Sequence, residues 1–585
     1  MKTFDRQKMF IQDWNKPIAV HLRDYSQTHW EWNRINWKKM ESKVFNLQKR
    51  IYKATKIGQT KKTKSLIKLL SRSACTVILG VRRVTQDSMG KRSSGIDGLK
   101  YLTPKARERL AKRLMERAKK GWDNYGAKPA KRKYVPKANG QLRPLGIPTQ
   151  EDRVIQHVVK SSIEPFYEAQ FESNSYGFRP AMSTHDAIEA IFKITCHEPK
   201  WVLDADIKGC FDNIDHNYLI EKVIPSQKLL IKEWLKAGYI DDGHIHSTEK
   251  GTPQGGIISP LLANIALDGL EKNLLEKLKD KFGQTKFNRT KLTVVRYADD
   301  FVIIHKDREI IDTSQIIISD WLKSRGLELS PEKTKVVNTL QGFDFLGFNI
   351  KWCQNNVKGH YKKKLIKEKK YKEYGIRIIP SSNSVKKHKE TLKEVFRQMK
   401  TSSPDDLIKR LNPIIRGWAN YFKYVHSWET FSSLENWLWV KLKSWTIRRH
   451  PLKGIWWIMK KYFQPSNRRI WSFKTKNQEL HWHGFTKIKA GGFIKVRAGK
   501  SFYDGDEIYW AKRLAKGYGD ISISKAKMLK RQNGKCPFCQ AHFKNGDLME
   551  SHHLLEKKNG GKDEYQNLIL IHRHCHDQLH ALNGC

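Results

Sequence analysis

Asp299 and Asp300 stand side by side between two β-prone, largely apolar runs, Val294-Val295-Arg296 and Phe301-Val302-Ile303-Ile304, with Tyr297 and Ala298 just before them. Such flanks read as the strands of a hairpin with the acids at its tip. Neighbouring residues on a regular strand face opposite ways, so both carboxylates reach one site only where a turn breaks the alternation. A second acidic run, Trp201-Val202-Leu203-Asp204-Ala205-Asp206-Ile207, sets Asp204 and Asp206 on one face. Carboxylates converging from these two places could hold two Mg²⁺ ions, a pairing able to activate a primer hydroxyl and stabilise a departing pyrophosphate. A lone Asp-Asp pair is also a common solvated turn, so the pair by itself decides nothing.

At the far end, Cys536-Pro-Phe-Cys539 and His572-Arg-His-Cys575 form two short knuckles with equal spacers. That spacing suits a tetrahedral structural Zn²⁺ in a segment too small for a core of its own. His574 rivals His572 as the fourth ligand. Cys75, Cys196, Cys210 and Cys353 are scattered and read as reduced thiols, as expected of an intracellular protein, and Cys585 is terminal.

These groups need elements to hold them. At 585 residues the chain is too long for a single core, so several domains are expected. Lys and Arg number 111 against 59 Asp and Glu, a net charge of +52, which calls for a polyanionic partner. The basic residues are interleaved with 19 Trp, 20 Tyr and 24 Phe, which offer stacking platforms for unpaired bases. No apolar run approaches the ~18 residues of a membrane span, so no membrane association is expected. The N-terminus, with Asp5 soon after Lys2, lacks the layout of a secretory or transit signal. The first ninety residues read as basic and helical, with Trp30, Trp32, Ile35, Trp37, Val44, Leu47 and Ile51 at helical spacing. A turn at residues 93–98 precedes an amphipathic helix over about 103–120. A mixed α/β region follows over 134–350, then a very basic connector at 362–372 and a helical, Trp- and Lys-rich stretch at 383–460. Residues 461–525 show no clear periodicity, and no internal repeat is visible.

The order of short blocks along the chain resembles the group II intron-encoded proteins, which are reverse transcriptases and maturases with a C-terminal HNH endonuclease. The blocks are Gly95-Ile96-Asp97-Gly98, then Pro136-Lys137 with Arg143-Pro144-Leu145-Gly146-Ile147-Pro148, then Ser175-Tyr176-Gly177-Phe178-Arg179-Pro180. They continue with Asp206-Ile207-Lys208-Gly209-Cys210-Phe211-Asp212, Gly251-Thr252-Pro253-Gln254-Gly255-Gly256 and the Tyr297 box. Leu329-Ser330-Pro331-Glu332-Lys333-Thr334-Lys335, Phe345-Leu346-Gly347-Phe348 and the segment from Arg416 to Tyr421 complete the series. The resemblance implies a multidomain protein: an α/β right-hand polymerase with fingers and palm, a helical thumb and maturase domain, and a small zinc-containing ββα-metal domain. Its implied divisions are a basic helical extension (1–92), fingers (93–195), palm (196–355), thumb and maturase domain X (356–460), a DNA-binding region (461–525) and the HNH endonuclease (526–585).

The same resemblance implies the site residues. Asp206, Asp299 and Asp300 would hold the Mg²⁺ ions, the family's spacing to Phe211 selecting Asp206 where periodicity cannot. Phe211 would lie beneath the incoming sugar and clash with a 2′-hydroxyl. Lys137 and Arg143 would pair with triphosphate oxygens, Gln254 would contact nucleotide and template, and Tyr297 would support the primer end. In the HNH domain His552 and His576, with His580 as a third ligand, would bind one divalent ion, while His553 acts as general base and Asn567 holds its loop. Group II intron RNA, target DNA and dNTPs are the implied partners, and a bacterial cytoplasm, or an organelle, the setting. A polymerase of another retroelement or defence system, or a splicing-only maturase, are the rival readings.

Overall fold

After a 3-10 turn at Trp32–Arg34, helices Trp37–Lys56, Thr60–Ser71 and Ala74–Arg82 follow, and each turns an apolar stripe inward. Trp37, Met40, Val44 and Ile51 are buried from the first of them. Helix Pro104–Lys120 starts where Thr103 Oγ1 accepts from Ala106 N at 3.3 Å, with proline at its first position, and stops at Gly121. The computed structural model describes residues 31–136, 140, 142–283, 292–354, 373–466, 469–516, 521–544 and 546–582; Lys137, Trp30 and the basic stretch 362–372 lie outside them.

The described strands, in chain order, are β1 Ala130–Pro136, β2 Leu142–Ile147, β3 Trp201–Asp206, β4 Tyr239–Asp241, β5 His244–His246, β6 Thr293–Tyr297, β7 Asp300–His305, β8 Lys335–Asn338, β9 Phe343–Phe345, β10 Phe348–Gln354, β11 Tyr374–Pro380, β12 Phe463–Ser466, β13 Arg469–Phe473, β14 Met549–His553 and β15 Leu568–His572. One four-stranded sheet runs β6-β7-β3-β8 and another β2-β1-β4-β5, while β11-β10-β9 form a third. The last of these straddles residue 355, because β11 pairs along the whole of β10.

The β6-β7-β3-β8 sheet is buried on both faces. Leu203, Ala205, Val294, Phe301 and Ile303 enter a core shared with the N-terminal helices and helix Gln150–Glu168. Val202, Val295, Val302 and Ile304 enter a second core with helix Thr184–Thr195, β10 and Phe422. By the two-residue period of a strand, Asp204 and Asp206 extend the row of Val202, and Asp300 extends that of Val302 and Ile304. The acids therefore emerge where one apolar row runs out.

Helices Ser382–Gln398, Pro404–Phe422 and Trp428–Arg449 pack beside this unit, Tyr421 Oη donating to the Leu346 carbonyl at 3.0 Å. The chain from 483 to 515 then crosses back over helices Gln150–Glu168 and Thr184–Thr195 before reaching a terminal hairpin, β14-β15, and helix Arg573–Leu582. No described helix is long and apolar enough to cross a membrane.

Candidate functional site

Across β3 and β7, Asp206 lies directly opposite Asp300, and Asp299 sits in the two-residue turn joining β6 to β7. The first turn residue, Ala298, adopts a φ of +62°, a conformation L-residues adopt reluctantly. Two contacts hold it there. Arg296, buried at 2% exposure, donates from Nη1 to the Ala298 carbonyl at 3.3 Å and to Asn264 Oδ1 at 3.2 Å. The Ser175-Tyr176-Gly177 segment lies against the turn so closely that a Cβ on Gly177 would collide with the Ala298 backbone. Tyr176 N donates to the Arg296 carbonyl at 2.9 Å, which ties that segment to β6.

Burial, a hydrogen bond to Asp206 and the charges of Asp299 and Asp206 push Asp300 up to about 8. Burial and Asp206 also raise Asp299. Lys333 Nζ reaches Asp206 Oδ2 at 2.7 Å, and that hydrogen bond raises the ammonium. Three crowded carboxylates against one ammonium form an anionic oxygen donor set of the kind that hard divalent cations fill. Asp204, on the same face of β3, belongs elsewhere: burial first, then Asp344, raises it to about 7, and it lies opposite Lys335.

Beside the acids, Arg143 Nε donates to Gln254 Oε1 at 2.8 Å, and Gln254 Nε2 donates to both Asp212 carboxylate oxygens at 2.7 Å. Phe211 precedes Asp212 and meets Phe178 edge-on, ring centroids 5.9 Å apart. The Gly251 turn packs on this corner, Thr252 N donating to the Phe211 carbonyl at 2.6 Å. Tyr297 ends β6 and packs with the second core. Lys333 and Asp212 lay within quoted sequence blocks, yet nothing in the spacing gave them partners 127 and 42 residues away.

In the C-terminal unit, ligand atoms of Cys536, Cys539, His572 and Cys575 lie within 4.8 Å of one another, as do those of His552, His576 and His580. The first set fits a thiolate-rich tetrahedral site, and His572 stands 3.3 Å from the Asp547 carboxylate. His574 is not in that set; it stacks on His572 at 5.0 Å and meets Trp37 edge-on. Burial, then His576 and His580, push His552 down to about 4, which keeps it in the neutral form that binds metals. Glu550 pairs with His576 Nδ1 at 3.0 Å. His553, next along β14, faces away and engages Asp563 at 2.7 Å, a partner not anticipated from sequence. Asn567 clamps the loop after His553, accepting from Leu555 N at 2.7 Å and donating to the Leu555 and Lys562 carbonyls at 3.0 Å.

Comparison with known proteins finds four family matches in chain order: an N-terminal domain of reverse transcriptase (residues 32–114), a reverse transcriptase or RNA-dependent DNA polymerase (135–350), a group II intron maturase-specific domain (385–463) and an HNH endonuclease (536–582). Protein YkfC of Escherichia coli (strain K12) is 34% identical over 302 residues, 46% of this chain and 78% of that one. Group II intron-encoded protein LtrA of Lactococcus lactis subsp. cremoris is 32% identical over 390 residues, 54% of this chain and 63% of its own length. An uncharacterized 91 kDa protein in the cob intron of Schizosaccharomyces pombe is 28% identical over 533 residues, 78% of this chain and 63% of its own. With these matches following one another from residue 32 to residue 582, the chain belongs to the group II intron-encoded reverse transcriptases and maturases that carry an HNH endonuclease domain.

Proposed function

We propose that the protein assists splicing of its intron RNA, nicks one strand of a DNA target with the HNH domain, and copies intron RNA into DNA from the exposed 3′ end. The observation that carries this reading is Asp206 opposite Asp300 with Asp299 in the adjoining turn. Mg²⁺ held by these three carboxylates would supply charge neutralisation at the primer oxygen and at the leaving pyrophosphate. The chain's own groups do the positioning. Arg143, fixed through Nε to Gln254, keeps its remaining N–H groups for triphosphate oxygens. Phe211 closes the space under the sugar and favours a deoxynucleotide by shape. Tyr297, at the end of β6, supports the primer terminus.

In the HNH domain His552, His576 and His580 would hold one divalent ion. His553 is the general base: with Nε2–H donated to Asp563, its Nδ1 lone pair takes the proton of the attacking water. Cys536, Cys539, His572 and Cys575 would bind a structural Zn²⁺. The basic helical surface of residues 382–462 grips intron RNA by phosphate contact and shape. His553→Ala tests the assembly of roles. It should abolish nicking of the target while leaving extension from a pre-nicked primer intact, and undiminished nicking would remove the HNH assignment.

A further inference from the structure

Residues 493–513 read from sequence as part of a DNA-binding region, yet several of their polar groups are directed inward at buried acids of helices Gln150–Glu168 and Thr184–Thr195. Val496 N donates to Asp186 Oδ1 at 2.7 Å, and Arg513 Nη2 donates to the same oxygen at 3.1 Å. Asp186 is 1% exposed and Arg513 8%. Tyr503 Oη donates to Glu164 Oε2 at 2.7 Å, and Ser501 Oγ to Glu168 Oε2 at 3.3 Å. Lys495 Nζ reaches Tyr176 Oη at 3.3 Å. Lys500 is paired with Asp504 and Asp506 at 3.4 and 2.7 Å, so it and Arg513 are already neutralised within the chain rather than offered to phosphate.

From Glu168 the contacts run on to the catalytic turn. Glu168 holds Arg179 by a two-pronged pair at 2.9 and 3.0 Å. Arg179 Nη1 donates to the carbonyls of Glu172 at 2.7 Å and Ser175 at 2.8 Å. Ser175 and Tyr176 pair with Arg296, and Gly177 abuts Ala298. Lys495 enters the same segment directly at Tyr176.

We infer that residues 493–513 are a positioning strap for the polymerase centre, holding the Ser175–Gly177 segment against the turn that carries Asp299. The strap joins the polymerase to the nuclease in sequence but serves the polymerase in space. This rests on the polymerase reading, whose own failure would show as no extension by the unmodified protein.

The test uses the full-length protein with its intron RNA. It measures kcat and dNTP KM for RNA-templated primer extension, each rate expressed per active site by burst titration, alongside DNA affinity across salt concentrations. Arg513→Ala should lower kcat per active site by about ten-fold and Lys495→Met by about three-fold, the scale of coupling through a packed network, with dNTP KM and DNA affinity within about two-fold. Arg513→Lys should recover most of the loss. Should Arg513→Ala fail to fold, Lys495→Met and Tyr503→Phe decide by the same criteria. Unchanged kcat per active site, or a loss confined to the active fraction or to salt-dependent DNA affinity, would overturn the strap.

Discussion

At the polymerase centre three carboxylates stand within reach of one ammonium, and Lys333 is the group whose role the sequence did not announce. It is 65% exposed, so its removal should leave the fold intact. If Asp206 holds Mg²⁺ as proposed, Lys333 would compete with the cation for it and, once displaced, would be placed to meet a triphosphate. Lys333→Met should therefore lower the Mg²⁺ concentration needed for half-maximal extension and raise dNTP KM roughly five-fold, the scale of an exposed ion pair. Unaltered Mg²⁺ dependence and KM would contradict that role. The ordered blocks singled out Asp206, Asp299 and Asp300, which the strands bring together, whereas period-2 reasoning could not separate Asp206 from Asp204. The neighbouring strands make that distinction: β7 brings Asp300 to Asp206, while β8 brings Lys335 to Asp204. His572 and His574 posed the same problem two residues apart: His572 lies with the three cysteines, while His574 stacks on His572 and meets Trp37 edge-on.

Elements with local signals were readable in advance. Thr103, Pro104 and Gly121 bracket a helix that the sequence outlines almost to the residue. Strands β4 and β5 were not readable, because each is three residues long and exists by pairing with a neighbour, β4 with β1 and β5 with β4. Residues 461–525 showed no period because much of that stretch is held by bonds to distant residues rather than by its own helices or sheets. In the helical region after β11, His388 on helix Ser382–Gln398 meets His483 at 2.9 Å, with Trp418 stacked on it at 4.6 Å. Burial pushes His388 down to about 4 and His483 well below its ordinary value of 6.5. Both are neutral when folded, while an unfolded histidine takes a proton below about 6.5, so the stability they contribute is complete above that pH and is lost as pH falls towards 4. The denaturation midpoint should drop between pH 7 and 5, and His388→Gln should flatten the slope. An equal slope in the variant would show that other groups carry it.

On the scale of the whole molecule, composition announced a polyanion partner and motif order announced the succession of domains, but nothing local revealed how the ends meet. Gln578 Nε2 donates to the carbonyls of Asn33 and Ile35 at 2.9 Å, Asp577 accepts from Gln86, and His574 faces Trp37, so the nuclease helix docks on the N-terminal helices. Such contacts join residues some 500 positions apart. Because the Cys/His cluster sets the start of that helix, Cys536→Ser should lose zinc and hydrogen-exchange protection at residues 573–582 and also at 32–40, while RNA-templated extension persists. Retained zinc would refute the ligand set. In the proposed function Asp206, Asp299 and Asp300 form a polymerase centre distinct from the RNA-gripping surface. The most direct measurement compares primer extension on an RNA template with intron splicing in Asp299→Ala. Extension should vanish while splicing continues at the unmodified level; persistent extension would contradict the assignment of the metal centre, and joint loss of both would contradict the separation of the two activities.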